Sequence, residues 1–180
     1  MLMTRFMAAQ QLDLNIQFAV KKSARPRKSD LRRWAKAALL GDVIVALRVV
    51  DEEEGRTLNR DYRGKDCATN VLTFAYGADL EGETLHTQGA RRLRKAVKPP
   101  TVPLSGDIVI CATVVAREAA EQGISMEAHY AHLTVHGMLH LQGYDHETDA
   151  EAVTMEAVES FIMQRLGYSD PYDATPAADS

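Results

Sequence analysis

Apolar and polar residues alternate most clearly near the start of the chain, where Leu12, Leu14, Ile16, Phe18 and Val20 are interleaved with Asp13, Asn15 and Gln17. A period of two puts the two sets on opposite faces of a pleated chain, so this stretch predicts a half-buried β-strand. Val43 to Val50 is a β-branched run that predicts a second strand, and Asn70 to Tyr76 predicts a third. Asp107 to Cys111 is almost wholly apolar and predicts a fourth, more deeply buried strand.

Elsewhere the spacing becomes helical. Ser29 is placed to cap a helix from Asp30 to about Leu40, with Leu31, Trp34, Ala38 and Leu39 on one face and Gly41 as the stop. The acidic tip Asp51–Glu54 with Gly55 predicts a turn, followed by a short helix from Thr57 to Tyr62. Thr113 to Gln122 predicts a helix ended by Gly123, and Ser125 caps another from Met126 to Gln142 with Leu133, Met138 and Leu139 facing the core. Thr148 and Glu151 form a capping box for a last helix, in which Met155, Val158, Phe161, Ile162 and Leu166 make an apolar stripe read as core. Residues 77–106, with three prolines and a basic cluster, predict a long mobile loop, and 171–180 a frayed tail. With no repeat and no linker, the chain of 180 residues reads as a single domain with its core over about 12–172.

Composition narrows the class. Hydrophobic residues at 46% and charged residues at 26% are those of an ordinary globular protein, and no apolar run approaches the ~20 residues that span a bilayer. The first eleven residues lack an apolar core and a cleavage site, which predicts a cytoplasmic protein without a secretory signal. Cys67 and Cys111 make no disulfide framework and have no zinc-type spacing, so both are expected to be buried, reduced thiols. The net charge of −4 hides a segregation: Lys21, Lys22, Arg25, Arg27, Lys28, Arg32, Arg33 and Lys36 face only Asp30, whereas Arg165 is the only Lys or Arg beyond Asp145. Such a basic stretch can form a patch that meets phosphates, or no more than a solvated face.

The candidate chemistry lies in His136-Gly137-Met138-Leu139-His140-Leu141-Gln142-Gly143-Tyr144-Asp145-His146. His136 and His140, four apart on a helix, share one face. Gly143 can adopt positive φ, ending the helix and letting His146 swing back toward the pair. Three neutral imidazoles with a fourth position open are the ligand set of a catalytic zinc, one per chain, which lowers the pKa of its water to about 7. Nickel or another divalent metal suits the same donors. His129 and His132 lie on the same helical face, but only the 136/140/146 set has the glycine in register, so they read as neighbours that support or wall the site. HExxH peptidases carry a glutamate base where this chain has Gly137, which argues against a protease. Arg63, in Tyr62-Arg63-Gly64-Lys65-Asp66, can present a bidentate fork to a phosphate or pair with Asp61 or Asp66.

The run from His136 to His146 matches H-G-x-x-H-x-x-G-Y-D-H residue for residue, and the chain thereby resembles the YbeY family of bacterial endoribonucleases and rRNA maturation factors. Two further signatures of that family are met by Tyr62–Asp66 followed by Thr69-Asn70-Val71-Leu72-Thr73-Phe74, and by Gly106–Ile110. The resemblance covers about residues 12–172. It implies a small α+β fold, a mixed four-stranded sheet flanked by helices, with a zincin (metzincin)-like site. It also implies zinc on His136, His140 and His146, a catalytic role for Arg63, and metal-dependent cleavage of single-stranded RNA in small-subunit (16S) rRNA 3′-end maturation and ribosome quality control. The small ribosomal subunit and assembly proteins are the implied partners, and the basic face of residues 21–36, with Lys21, Lys22, Arg25, Arg27, Lys28, Arg32 and Arg33, is expected to hold RNA on one side of the cleft. The attacking oxygen is that of water or of a 2′-hydroxyl. Two departures stand out: the connection 77–106 is longer and more basic than usual, and Ala75 stands where a proline is common. The competing readings are a zinc-containing assembly factor that binds RNA without turnover and, more remotely, a metallopeptidase.

Overall fold

The period-two stretch forms β1 (Leu12–Phe18), with Leu14 and Ile16 buried and Asp13, Asn15 and Gln17 exposed. It joins β2 (Val43–Val50), β3 (Val71–Tyr76) and β4 (Leu104–Cys111) in one sheet of order β1-β2-β4-β3. The first two pairings are parallel, and β3 lies antiparallel on β4. The computed structural model describes residues 10–76 and 103–173. The basic cluster at 91–98, nearly all of the predicted loop and the tail beyond 173 lie outside the described residues.

One face of the sheet carries the main core. Val43, Val45, Leu47 and Val49 of β2 point there with Ile108 and Ile110 of β4. They meet Leu31, Trp34 and Ala35 of α1 (Lys28–Ala37) and Leu133, Met138 and Leu139 of α4 (Met126–Leu141). The opposite face buries a smaller cluster of Val50, Leu72, Val109 and Cys111 beneath Leu58 of α2 (Glu52–Arg63) and Val114 of α3 (Ala112–Gln122). α5 (Asp149–Arg165) packs on α4 and opens with the predicted capping box. No helix among the described residues is long and apolar enough to cross a membrane.

Several local expectations give way to identifiable forces. The acidic tip is not a turn but the first turn of α2: the Asp51 side chain accepts from the Glu54 amide at 2.9 Å, and three glutamates sit where the helix dipole favours negative charge. Gly55 is therefore helical, and it is small because a Cβ there would stand 3.2 Å from the Cys111 Sγ. α1 starts before Ser29, with Arg27 at its cap and paired to Asp30 at 2.8 Å. It ends before Gly41, where Gln142 donates to the Ala38 carbonyl and accepts from the Leu40 amide. β4 reaches back to Leu104, so the end of the predicted loop is strand. Cys67 is exposed, unlike Cys111. Phe161 is 59% exposed, because the seam of α5 runs through Met155, Glu159, Ile162 and Met163 instead.

Helix and sheet approach most tightly at two glycines. A Cβ on Gly137 would lie 3.1 Å from Ile108 side-chain atoms, and one on Gly106 would run into the Phe74 carbonyl oxygen and Leu141 Cδ2. Since a backbone oxygen held in the β3–β4 ladder cannot step aside, Gly106→Ala is expected to destabilise the protein by about 3 kcal/mol, the upper part of the range for overpacking. A urea midpoint equal to that of the parent would show that the strands part freely there.

Candidate metal centre

α4 begins with Ser125 Oγ accepting from the Ala128 amide at 3.1 Å and carries His129, His132, His136 and His140 along one side. Its end is built as the glycine predicts. Gly143 takes φ +96°, its amide donates to the His140 carbonyl at 3.1 Å, and the Tyr144 amide donates to the Leu139 carbonyl at 3.1 Å. This paired closure is a Schellman turn. Asp145 Oδ1 then accepts from the His146 amide at 2.8 Å, fixing the reversal that brings the third histidine back.

The three rings converge. His136 and His140 have centroids 4.5 Å apart, His140 and His146 5.0 Å, and His136 and His146 5.8 Å. One nitrogen from each lies within 4.8 Å of the others. Partial burial pushes His140 down to about 4, helped by the neighbouring His136 and His146, so its lone pair is free at neutral pH. Three imidazoles on one side, with no carboxylate among them, fit a borderline divalent metal such as zinc.

Behind the cluster stands Glu159, on α5 and fully buried. Its Oε1 accepts from His136 Nδ1 at 2.6 Å, its Oε2 accepts from His132 Nε2 at 2.8 Å, and the Tyr172 hydroxyl also donates to it. Burial alone would raise this carboxyl, but the bonds from His132 and His136 outweigh it and hold the group at about 2. His132, His136 and Glu159 also bring donor atoms within 4.8 Å of one another, yet these facing atoms are already bonded to each other. They support the centre and do not form a second one. His129 is buried on Glu118 at 2.7 Å, and Glu118 also accepts from Asn70 at 3.0 Å. A cleft of about 1170 Å³ runs past Asn70, Glu118, His129, His132 and Tyr172 and reaches the cluster at His136.

The other predicted residues lie apart from the histidines. Arg63 is exposed in the last turn of α2, on the opposite side of the sheet from α4, and among the described residues no hydrogen bond or ion pair joins it to the cluster. The aspartates that could have neutralised it are taken by other residues: Asp61 by Arg60 at 3.1 Å and Asp66 by Arg56 at 2.7 Å. Adjacent Tyr62 packs edge-on against Phe74 of the edge strand β3. In the basic stretch, Lys21, Lys22, Lys28 and Arg32 are exposed, whereas Arg27 is bound to Asp30, Arg33 donates to the Tyr168 hydroxyl, and Arg25 stacks 3.8 Å over Phe18. This stretch joins α4 near Tyr130, whose hydroxyl donates to the Ala24 carbonyl at 2.7 Å, well before the helix reaches His140.

The model of the family described as Endoribonuclease YbeY matches residues 10–167. The chain belongs to the YbeY family. It is 56% identical over 173 residues to the endoribonuclease YbeY of Laribacter hongkongensis, covering 94% of this chain and 95% of that one. It is 52% identical over 164 residues to that of Methylobacillus flagellatus, covering 91% and 95%. The YbeY match takes in Arg63, the three histidines and Glu159 but stops short of Tyr172. Sequence reasoning overlooked both Glu159 and Tyr172. A glutamate standing within the apolar seam between Met155 and Ile162 was the available signal for Glu159.

The depressed His140 gives a pH test with a definite sign. Between the ordinary histidine value of 6.5 and about 4 the unfolded chain binds this proton and the folded one does not, so stability falls as pH falls. Glu159 adds its own loss only below the ordinary value of 4.5. For metal-free protein the urea midpoint is expected to drop from pH 6.5 to pH 4.5, and His140→Asn to flatten that slope. An unchanged slope in the variant would assign the dependence to other groups.

Proposed function

We propose that this protein is a metal-dependent, single-strand-specific endoribonuclease of small-subunit (16S) rRNA 3′-end maturation and ribosome quality control, acting in the cytoplasm as one domain. Its centre is zincin (metzincin)-like, with one Zn2+ per chain on His136, His140 and His146. The observation that carries the reading is the convergence of three imidazoles on the turn at Gly143 in a chain of the YbeY family. A divalent metal held by these three histidines would supply a Lewis acid to polarise a phosphoryl oxygen and to activate the attacking oxygen.

The chain's own residues do the rest. His140 stays unprotonated, and His136 is oriented by Glu159. Arg63, set apart from the histidines and with no ion-pair partner among the described residues, offers its planar fork to another phosphate of the strand that reaches the cluster. Lys21, Lys22, Arg25, Arg27, Lys28, Arg32 and Arg33 hold the single strand on its phosphates, led by Lys21, Lys22, Lys28 and Arg32, which are exposed and make no ion pair among the described residues. The small ribosomal subunit and its assembly proteins are the setting in which that strand is presented.

Two other readings are separated by specific observations. A peptidase base at position 137 is absent, and a side chain there would press Ile108, whose side-chain atoms lie 3.1 Å from where its Cβ would stand. An assembly factor that binds RNA without turnover would use the same histidines and basic face. The deciding experiment is cleavage of a 3′-extended small-subunit rRNA fragment by parent, His140→Ala and Arg63→Ala proteins purified identically, with metal assayed in each. Arg63→Ala is expected to lose about 10²-fold or more in rate while keeping its metal, and His140→Ala to lose both. Equal activity in all three would remove the catalytic assignment and leave the binding reading. A charge test runs in parallel: replacing Lys21, Lys22, Lys28 and Arg32 with glutamine should reduce the steepness with which salt weakens RNA binding, by roughly 0.7 in log–log slope for each phosphate no longer neutralised. An unaltered slope would place the RNA elsewhere.

A further inference from the structure

The carboxylate behind the histidines is held by a segment that lies past the end of the family match. Gly167, at φ +90°, closes α5, and the Tyr168 amide donates to the Met163 carbonyl at 3.0 Å. Residues 168–172 then run back over α4 and α5 and are fastened at three points. The Tyr168 hydroxyl meets Trp34 Nε1 at 3.2 Å and Glu127 at 2.6 Å, and Asp170 accepts from Ser160 at 2.7 Å and from the Tyr172 amide at 3.0 Å. The third point is the Tyr172 hydroxyl, which donates to Glu159 Oε2 and lies 3.3 Å from His132 Nε2. Tyr172 is 42% exposed, its ring stands edge-on to His132 at 5.5 Å, and its hydroxyl reaches the buried Glu159.

We propose that Glu159 is a positioning residue for the metal centre and that Tyr172 is its latch: the buried carboxylate keeps the proton of His136 on Nδ1, leaving Nε2 to coordinate, and the segment after α5 keeps the carboxylate in place. The inference rests on the proposed metal centre and deepens it. An ionised carboxylate only accepts hydrogen bonds, so the atom facing it at 2.6 Å must bring the proton. A carboxylate with no exposed surface requires donors for both oxygens, and His136, His132 and Tyr172 are those donors. Removing the Tyr172 hydroxyl leaves Oε2 to His132 alone. Neutralising Glu159 leaves an amide whose NH2 cannot accept from His132 or Tyr172. In either case His136 loses part of what fixes its ring. A carboxylate behind a ligating imidazole also raises its basicity, and loss of such a partner generally costs about 10–100-fold in metal affinity.

The test uses the full-length chain with Zn2+ as probe. Affinity is measured by competition with a chromophoric chelator for parent, Glu159→Gln and Tyr172→Phe proteins, and the His136 tautomer is read from ring nitrogen shifts of the metal-free parent. We expect a rise in Kd of about 10-fold or more for Glu159→Gln and a smaller rise, about 3-fold or more, for Tyr172→Phe, both still binding one ion. The parent's His136 should carry its proton on Nδ1. An Nε2-protonated His136 in the parent, or parent-like Kd values in both folded variants, would overturn the proposal. If Glu159→Gln does not fold, Tyr172→Phe and the parent tautomer decide it. A parent that binds no Zn2+ would instead sink the metal centre, and the tautomer would still report whether Glu159 orients His136.

Discussion

The close seating of α4 on β4 is the constraint on which the rest depends. Two glycines, Gly137 on the helix and Gly106 on the strand, remove the side chains that would hold the elements apart. The helix therefore lies directly on Ile108, with Leu141 over the start of the strand. That seating fixes the height and rotation of α4, and with them the direction in which His136 and His140 project. Gly137 has a double meaning as a result. It is the missing base of a peptidase, and it is also a packing residue whose replacement would press on the Ile108 side chain.

Much of this was legible in the chain. Period-two alternation located β1 because one of its faces is buried and the other is wet, and a β-branched run located β2. The histidine cluster was legible because its three members lie on one helix and the turn that ends it, so local geometry alone brings them together. Part of what could not be read came from distance in sequence. Glu159 meets His136 from another helix, and its charge looks like an interruption of an apolar stripe until the partner helix is in view. The acidic start of α2 reads as a turn because its composition is polar, whereas capping by Asp51 and the dipole make the same residues a helix terminus. Arg63 remains a residue placed by its motif more than by its contacts.

Gln142 links these levels. It sits between the second histidine and the turn glycine, and besides donating to the Met138 carbonyl of its own helix its amide reaches the chain just past α1, accepting from the Leu40 amide and donating to the Ala38 carbonyl. The helix of the motif and the helix under the basic stretch are thus joined at their C-terminal ends, next to the histidines. A residue of the motif that touches no metal is accordingly a tie between the two helices that frame the main core.

The ending of α4 has one more consequence. α4 ends at the turn that returns His146 to the pair. Aligned peptide dipoles give such an end roughly half an electron of negative charge. Unprotonated imidazoles carry no net charge, so such an end would add an attraction for a cation that the side chains alone do not supply. The same turn that returns His146 to the cluster thus also sets the sign of the field in which a metal would be held.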